Sequence, residues 1–339
     1  MIVQVRRDIT HAQKERLIDE INQVGYKITE VKTQLGTYLV GIGKADFDIR
    51  RFGHYEGIQD IHIVSDDYKL VSNKWKVKPT TIDLGNGVFI KDGDMAIMAG
   101  PCSIESEEQI ISIIDHLKAN GIKIMRGGVY KPRSSPYAFR GQGIEGLKLW
   151  HALAKEAGIK IVSEVMQVSQ IEEMYDYVDI YQVGARNTQN FNLLDELGRV
   201  DKAVMIKRGI SGTIEELLQS AEYVFSGGNE KLILCERGIR TYERASRNTL
   251  DLNAVPILKS KSHLPVVVDP SHGIGIRQFV AQMALSGVMS GADGIIYETH
   301  EIPEKAYSDG QQTLDFAQSA QLAEQIRQTF ALRKTFSLL

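Results

Sequence analysis

From residue 95 onward the chain repeats one pattern eight times: a short apolar run, a polar cluster, and then a helix-like stretch. Helix start signals lie between the runs, as at Ser106 with Gln109 and at Thr213 with Glu216. Eight strands that alternate with helices over about 245 residues match a (β/α)8 TIM barrel in number and length. The predicted strands are residues 95–99, 122–125, 159–162, 178–183, 203–206, 231–234, 265–268 and 294–297.

A doubly wound parallel sheet is the structural alternative to a barrel. Polar clusters follow the strands throughout the repeat, and this even distribution favours a closed barrel. No Gly-x-Gly-x-x-Gly motif opens the first helix of the repeat, so a dinucleotide-binding fold has little support. The sequence therefore predicts an α/β protein with a closed barrel.

The first 65 residues have the element order β-α-β-β-α-β. Thr10 and Gln13 form a capping box that begins the first helix, and a weaker second helix is predicted near residues 47–52. This order is that of a small ferredoxin-like domain. Residues 66–80 are polar and rich in lysine, which predicts a linker. Residues 81–339 then form the barrel unit, which begins with a hairpin.

The composition of the chain excludes several classes of partner. Its net charge is only −3, with 43% hydrophobic and 24% charged residues, so it has no general attraction to nucleic acid or to a membrane. The two cysteines, Cys102 and Cys235, make no disulfide framework. We therefore expect a cytoplasmic protein, in which any anion site is a local concentration of arginine and lysine.

Polar clusters follow the predicted strands 1, 7 and 8, which are neighbours in a closed barrel. The carboxyl ends of barrel strands converge in space, so one cysteine, one histidine and two carboxylates are expected to meet there. Such a set of N, O and S donors suits Mn, Fe, Co or Zn better than Mg or Ca. Taken singly, a lone cysteine is more often a small buried apolar residue, and an aspartate can simply start a turn. The clusters are residues 99–106, 269–273, 298–300 and 308–310.

Cations follow the predicted strands 2, 4, 5 and 6. The segment KPRSSP at residues 131–136 comes directly after strand 2 and sets cations beside two hydroxyl groups, which suits a phosphate. The alternative to a phosphate site is a solvated basic loop for the KPRSSP segment and surface ion pairs for the other cations. Surface ion pairs are the more plausible alternative for Arg208 in particular. So many cations at one barrel mouth repel one another unless anions lie between them. The count suggests two phosphates, or a phosphate and a carboxylate, beside a metal that polarises a carbonyl.

Seven motifs in chain order resemble 3-deoxy-D-arabino-heptulosonate 7-phosphate (DAHP) synthases of type I, in the form with a small N-terminal regulatory domain. The resemblance covers the whole chain and implies condensation of phosphoenolpyruvate with erythrose 4-phosphate, the first step toward chorismate and the aromatic amino acids. The related octulosonate 8-phosphate synthases use arabinose 5-phosphate and typically have Ala-Asn-Arg where this chain has Lys131-Pro132-Arg133. The motifs are GPCSIES, KPRSSPYAFRGQG, GARNTQNF, KRG, CERGIRTYE, DPSHGIG and YETH.

The resemblance also implies roles for individual residues. Lys131 would donate a proton to the aldehyde oxygen, and either Glu236 or water on the metal would activate the attacking water. The implied metal ligands are Cys102, His272, Glu298 and Asp309. The implied phosphoenolpyruvate contacts are Arg126, Lys131, Arg186, Lys207 and Arg237. The implied contacts to the phosphate of the sugar are Arg133, Ser134 and Ser135.

For the N-terminal unit, the resemblance implies an ACT-type module through which tyrosine or phenylalanine inhibits the enzyme, in a homotetramer. A docking or stabilising domain is the alternative. Three rival functions stay open from the sequence: an octulosonate 8-phosphate synthase, a metal-dependent aldolase, and an amino-acid sensor on an inactive barrel. The identity of the metal and of the inhibitor stays open as well.

Overall fold

The computed structural model describes residues 1–43, 48–53, 55–131, 137 and 139–336. Its first part is a four-stranded antiparallel sheet with the strand order β2-β3-β1-β4, which is the ferredoxin-like order predicted from the sequence. The predicted second helix is a single turn of 3₁₀ helix, and residues 44–47 lie outside the described part. The elements are β1 (Ile2–Val5), α1 (His11–Gln23), β2 (Lys27–Lys32), β3 (Thr37–Ile42), the 3₁₀ helix (Ile49–Phe52) and β4 (Ile58–His62).

Both faces of this sheet are buried, because its apolar residues alternate in direction along the strands. Val3 and Leu39 pack with Leu17 of α1 and with Phe52. Tyr38, on the opposite face, packs into the hydrophobic core that surrounds the barrel. The sheet therefore lies between its own helix and the barrel.

The barrel strands close in the order β10-β11-β12-β13-β14-β7-β8-β9, and every strand pair within the barrel is parallel. This confirms the predicted TIM barrel, with eight strands at the predicted places. The strands are β7 (Ala96–Gly100), β8 (Ile124–Gly127), β9 (Lys160–Val165), β10 (Ile180–Val183), β11 (Ala203–Lys207), β12 (Leu232–Glu236), β13 (Val266–Val268) and β14 (Gly294–Glu298).

Helices follow the barrel strands and cover them. Three capping boxes begin helices in the described residues, at Thr10 for α1 and at Thr213 and Asp315 on the barrel. None of the helices in the described part of the chain is long and apolar enough to cross a membrane. The barrel helices are α2 (Glu107–Ala119), α3 (Gly143–Glu156), α4 (Ser169–Met174), α5 (Phe191–Leu197), α6 (Ile214–Ser226), α7 (Ala254–Lys261), α8 (Pro270–Ile274), α9 (Arg277–Met289) and α10 (Phe316–Arg333).

A short hairpin precedes the barrel, as predicted, and consists of β5 (Ile82–Asp83) and β6 (Phe89–Ile90). Its apolar residues Ile82 and Ile90 are buried and join the cluster of side chains from alternate positions of the barrel strands. That cluster fills the barrel interior, as is usual for this fold.

Residues 66–80, predicted as a linker, are packed against the barrel. Leu70 and Trp75 are buried in its outer core. The carboxylate of Glu222 on α6 accepts the backbone N–H groups of Lys69, Leu70 and Val71 at 2.9, 2.9 and 3.0 Å. The polar composition suggested a solvated segment, but its apolar residues pack onto the barrel, and the half-buried carboxylate of Glu222 accepts three of its backbone N–H groups.

The buried carboxylate of Glu230 connects the N-terminal sheet to the barrel through hydrogen bonds. Glu230 accepts hydrogen bonds from the hydroxyl groups of Thr33 and Tyr38, the latter at 3.0 Å, and its backbone N–H donates to Gln34 Oε1 at 3.2 Å. Glu230 precedes β12, so this contact lies where the strands begin. The N-terminal sheet therefore contacts the end of the barrel where the strands begin, opposite to their carboxyl ends.

His263 is buried where residues 66–80 meet the barrel. Its Nδ1 lies 2.7 Å from Thr80 Oγ1, and its Nε2 lies 2.8 Å from the carbonyl oxygen of Leu70. A carbonyl only accepts, so Nε2 carries the proton of the neutral ring. Burial, together with the charge of Lys76, lowers the pKa of His263 to about 3.

We expect this histidine to make the protein less stable in acid. Between its ordinary pKa of 6.5 and about 3, the unfolded chain binds a proton that the folded chain does not. Stability is therefore lost as the pH falls through this window, by at most about 1.4 kcal/mol per pH unit. Thermal unfolding midpoints at pH 7 and pH 5 should show a shallower decline for His263→Gln than for the unmodified chain. Equal declines would contradict the assignment.

Candidate active site

One cavity at the carboxyl end of the barrel collects all five cations that were predicted to bind phosphoenolpyruvate. Two further arginines line the same cavity, Arg240 and Arg247, and two carboxylates lie among them, Glu164 and Asp309. The excess of positive charge suits a ligand with several negative charges. The predicted cations in its lining are Arg126, Lys131, Arg186, Lys207 and Arg237.

The four predicted metal ligands meet at the edge of this cavity. The ligand atoms of Cys102, Glu298 and Asp309 all lie within 4.8 Å of one another. Cys102 Sγ lies 3.2 Å from Asp309 Oδ2, and His272 Nε2 lies 3.4 Å from Glu298 Oε1. Cys102 follows β7, His272 lies in α8 directly after β13, Glu298 ends β14, and Asp309 lies in the loop after β14, so three adjacent strands bring the four residues together. One thiol, one imidazole and two carboxylates are a donor set that fits a transition metal.

His272 is oriented in the way that is usual for a metal-binding histidine. Its Nδ1 lies 2.8 Å from Asp269 Oδ2, so the buried carboxylate accepts a hydrogen bond from the N–H of that nitrogen, and the lone pair of Nε2 faces Glu298. Asp269 is held in turn by the ammonium group of Lys207. Burial alone would raise the pKa of Asp269, but His272 and Lys207 keep it well below its ordinary value.

Among the predicted ligands, a protonated thiol lies beside an ionised carboxylate. Burial raises the pKa of Cys102 to about 11, although Lys131 acts in the opposite direction. Burial would also raise the pKa of Asp309, but His272, Arg247, the Cys102 thiol and Lys131 together lower it to about 2. The thiol accordingly donates a hydrogen bond to the carboxylate of Asp309, and binding of a metal to the sulfur would release the thiol proton.

Lys131 lines the cavity and also contacts the loop that carries Cys102, one of the predicted metal ligands. Its Nζ donates to the backbone carbonyl of Cys102 at 2.9 Å, which places the ammonium group beside the thiol. The three residues predicted to hold the phosphate of the sugar, Arg133, Ser134 and Ser135, lie outside the described residues.

Arg126 likewise lines the cavity and contacts a predicted metal ligand, Glu298. Its Nη1 donates to Glu298 Oε1 at 2.8 Å and to the carbonyl oxygen of Pro101 at 2.9 Å. Burial would lower the pKa of this guanidinium, but Glu298, Cys102 and Asp269 raise it above its ordinary value. Arg126 therefore stays charged although it is almost fully buried, and it faces both the metal cluster and the cavity.

Glu236 is not brought to the cavity, although the sequence made it a candidate base. Its carboxylate is fully buried and accepts hydrogen bonds from Arg208 at 3.0 Å, from the N–H of Gly238 at 2.6 Å and from the N–H of Asp251 at 3.3 Å. Arg208 also pairs with the side chain of Asp251 at 2.7 Å. Glu236 and Arg208 thus anchor the loops that follow β11 and β12. Arg208 forms ion pairs, as considered above, but they are buried and do not lie at the surface.

Glu164, a carboxylate that lines the cavity from β9, was not among the residues predicted from the sequence. The sequence does contain a signal for this residue. Glu164 is a charged residue two positions after the apolar run 159–162, and this run is the one predicted strand to which no polar cluster was assigned. Gly184 leaves the space that this side chain occupies, since a methyl group built there would collide with the Glu164 carboxylate. Gln182 on the adjacent β10 was missed as well.

Comparison with known proteins agrees with this geometry. A model described as the DAHP synthetase I family matches residues 76–335. The phospho-2-dehydro-3-deoxyheptonate aldolase of Thermotoga maritima is 42% identical over 328 residues, which cover 96% of this chain and 97% of the relative.

Two solved structures are also similar. The crystal structure of a DAHP synthase from T. maritima superposes with a TM-score of 0.78 at 41% identity and covers 98% of both chains. A truncated form of the synthase from the same organism superposes with a TM-score of 0.73 at 44% identity, and covers 78% of this chain and 98% of that chain. The chain therefore belongs to the DAHP synthetase I family.

Proposed function

We propose that this chain condenses phosphoenolpyruvate with erythrose 4-phosphate and water to give DAHP and inorganic phosphate, with a divalent metal held by Cys102, His272, Glu298 and Asp309. The observation that carries the proposal is that the ligand cluster and the five predicted cations share one cavity at the carboxyl end of the barrel. The family membership supports the same reaction.

In this reaction the metal would polarise the aldehyde carbonyl of the sugar phosphate. The arginines of the cavity orient the two anionic substrates and offset the repulsion between them, which makes a reaction of two substrates feasible. The methylene carbon of phosphoenolpyruvate attacks the aldehyde carbon, and Lys131 gives a proton to the oxygen that becomes a hydroxyl. Water adds to the carbon that bears the phosphate ester and gives up one proton to a base. The hydroxyl group so formed becomes the ketone as the carbon–oxygen bond to phosphate breaks, and its proton leaves with inorganic phosphate.

Glu164 is the residue that we propose to accept the proton of the attacking water. A base must lie within hydrogen-bonding reach of the water, and Glu164 lines the cavity, whereas the oxygens of Glu236 are already satisfied elsewhere. The other carboxylate of the lining, Asp309, belongs to the metal cluster. Glu164 thus replaces Glu236 in the mechanism suggested by the sequence.

The test is the loss of phosphoenolpyruvate with erythrose 4-phosphate or with arabinose 5-phosphate, each with EDTA and then with added Mn²⁺. We expect consumption with erythrose 4-phosphate that EDTA abolishes and Mn²⁺ restores. Consumption with arabinose 5-phosphate alone would mean an octulosonate 8-phosphate synthase. Consumption of neither would favour the sensor with an inactive barrel, and phosphoenolpyruvate use without release of phosphate would favour an aldolase.

We also propose that residues 1–65 regulate the barrel, that tyrosine or phenylalanine is the inhibitor, and that the chain forms a homotetramer. Since the sheet contacts the end of its own barrel where the strands begin, an inhibitor bound to it acts on its own active site through Glu230 and the segment 66–80, or closes the mouth of a neighbouring subunit. Sedimentation velocity measures the number of subunits directly.

Deletion of residues 1–64 is expected to abolish inhibition by tyrosine and phenylalanine while leaving the condensation active. The cut is placed there because Leu70 and Trp75 belong to the barrel core. A lower thermal midpoint is also expected, since the deletion uncovers the apolar surface on which Tyr38 packs. The measurement is a titration of each amino acid against the full-length and the truncated enzyme. Inhibition that survives the deletion would place the regulatory site on the barrel.

A further inference from the structure

Each carboxylate among the proposed metal ligands has one oxygen close to another ligand and one oxygen that accepts a hydrogen bond from outside the ligand set. Glu298 Oε1, the inner oxygen, also accepts a hydrogen bond from Arg126 Nη1 at 2.8 Å. Glu298 Oε1 faces His272 Nε2 at 3.4 Å, and Asp309 Oδ2 faces Cys102 Sγ at 3.2 Å. Their other oxygens accept hydrogen bonds from Gln312 and Arg247: Gln312 Nε2 to Glu298 Oε2 at 2.8 Å, and Arg247 Nη1 to Asp309 Oδ1 at 3.3 Å.

Gln312 and Arg247 are themselves joined, and the connection fixes the orientation of the glutamine amide. Arg247 Nη1 donates to Gln312 Oε1 at 2.7 Å. A guanidinium only donates and a carboxylate only accepts, so the amide must turn its oxygen to Arg247 and its nitrogen to Glu298. Gln312 is only 2% exposed, so solvent does not compete for these bonds.

The loop after β14 places Gln312 beside both ligands. A bridge between Thr299 and Leu314 closes this loop at its base, next to Glu298. Within the loop, the hydroxyl group of Thr313 donates to the carbonyl oxygen of Asp309 at 2.9 Å. Asp309 itself has a φ of +53°, a conformation that residues other than glycine seldom adopt unless the surrounding structure holds them in it. The same turn thus carries the proposed ligand Asp309 and the residue Gln312, which donates a hydrogen bond to the other carboxylate, Glu298.

We propose that Gln312 is a positioning residue for the metal site and that it acts together with Arg247. The pair fixes which oxygen of Glu298 and of Asp309 faces the metal, as outer hydrogen bonds do for metal ligands in general. This inference rests on the ligand set of the proposed function. It assigns Gln312 a role in metal affinity and in the geometry of the ligands, with no contact to either substrate.

The test is Co²⁺ binding to the full-length chain, followed through the absorption of the cobalt–thiolate bond. Gln312→Met keeps the length of the side chain and removes both hydrogen bonds, and we expect the Kd for Co²⁺ to rise about 10- to 100-fold, with a changed visible spectrum. Gln311→Met is the matched control, because Gln311 is the adjacent glutamine and is exposed. Its Kd and spectrum should equal those of the unmodified chain.

Arg247→Met is a second variant, at a less buried position, and it separates geometry from charge. If Arg247 acted only through its positive charge, its removal would tighten the binding of a cation. A weaker Kd in this variant would therefore support positioning, and Arg247→Lys, which keeps a donor and the charge, should recover part of the affinity.

The outcomes distinguish this inference from the proposed function. An unchanged Kd and spectrum in Gln312→Met would overturn the positioning role, even if the metal-free variant were less stable than Gln311→Met. If Cys102→Ala bound Co²⁺ as the unmodified chain does, the ligand set of the proposed function would be overturned, and this inference with it. Loss of binding in Cys102→Ala and weaker binding in Gln312→Met would support both.

Discussion

Replacing Lys131 with methionine is expected to lower kcat about 1000-fold, because the variant keeps the bulk of the side chain and loses the proton donor. Lys131 is the residue that lies between the cation cavity and the thiol of Cys102, with its Nζ 2.9 Å from the carbonyl oxygen of that cysteine. The effect should fall on kcat more than on the KM for phosphoenolpyruvate, since four of the five predicted cations remain. Steady-state release of phosphate measures both constants.

Lys148→Met is the control for this variant. Lys148 lies on α3 with an exposed side chain that pairs with Glu145, and it should keep full activity without its charge. Co²⁺ binding to Lys131→Met should be preserved, which would exclude a collapse of the loop that carries Cys102. Near-normal kcat in Lys131→Met would remove Lys131 from the proton transfer and leave it a binding role only.

The barrel is predictable from the sequence because its signal is local and repeated. Each strand is a short apolar run with a polar cluster after it, and a closed parallel barrel converts positions that are distant in sequence into one cavity. The barrel order predicts that the strand-end cations and the candidate ligand clusters converge, and the family resemblance selects from them the five cations and the four predicted ligands. Cys102 and Asp309 are 207 residues apart, yet the order of the strands alone predicts their meeting.

The supporting contacts cannot be found in this way, because they depend on side-chain directions within loops. Glu236 ends a strand as the true cavity residues do, but its carboxylate turns to Arg208 and to two backbone N–H groups. Gln312 is one of two adjacent glutamines, and only the folded loop decides which of them is buried against Glu298.

The segment 66–80 shows the limit of arguments from composition. Its average is polar, and a polar average predicts a linker. Four of its apolar side chains, Tyr68, Leu70, Val71 and Trp75, nevertheless pack it onto the barrel. The half-buried Glu222 on α6 accepts three of its backbone N–H groups, and nothing in the local sequence of the segment indicates that partner.

Replacing Cys102 with alanine is expected to abolish tight metal binding and, with it, nearly all activity. In the proposed ligand set the thiolate is the soft ligand, and its loss would leave the imidazole of His272 and two carboxylates. The measurement is the metal content after dialysis against Co²⁺, together with the absorption band of the cobalt–thiolate bond, which should be absent. Activity that EDTA removes from the unmodified enzyme should return with Mn²⁺, whereas the variant should stay inactive at the same concentration of Mn²⁺.

The second cysteine supplies the matched control. Cys235 is also a buried free thiol, but it belongs to the barrel interior and lies outside the ligand cluster. Cys235→Ala should therefore keep the cobalt–thiolate band and the metal content. If the band were lost from Cys235→Ala and kept in Cys102→Ala, the thiolate ligand would have been assigned to the wrong cysteine. If both variants kept full metal content, the metal would be held without a thiolate, and the selectivity for Mn, Fe, Co or Zn argued from the donor set would lose its basis.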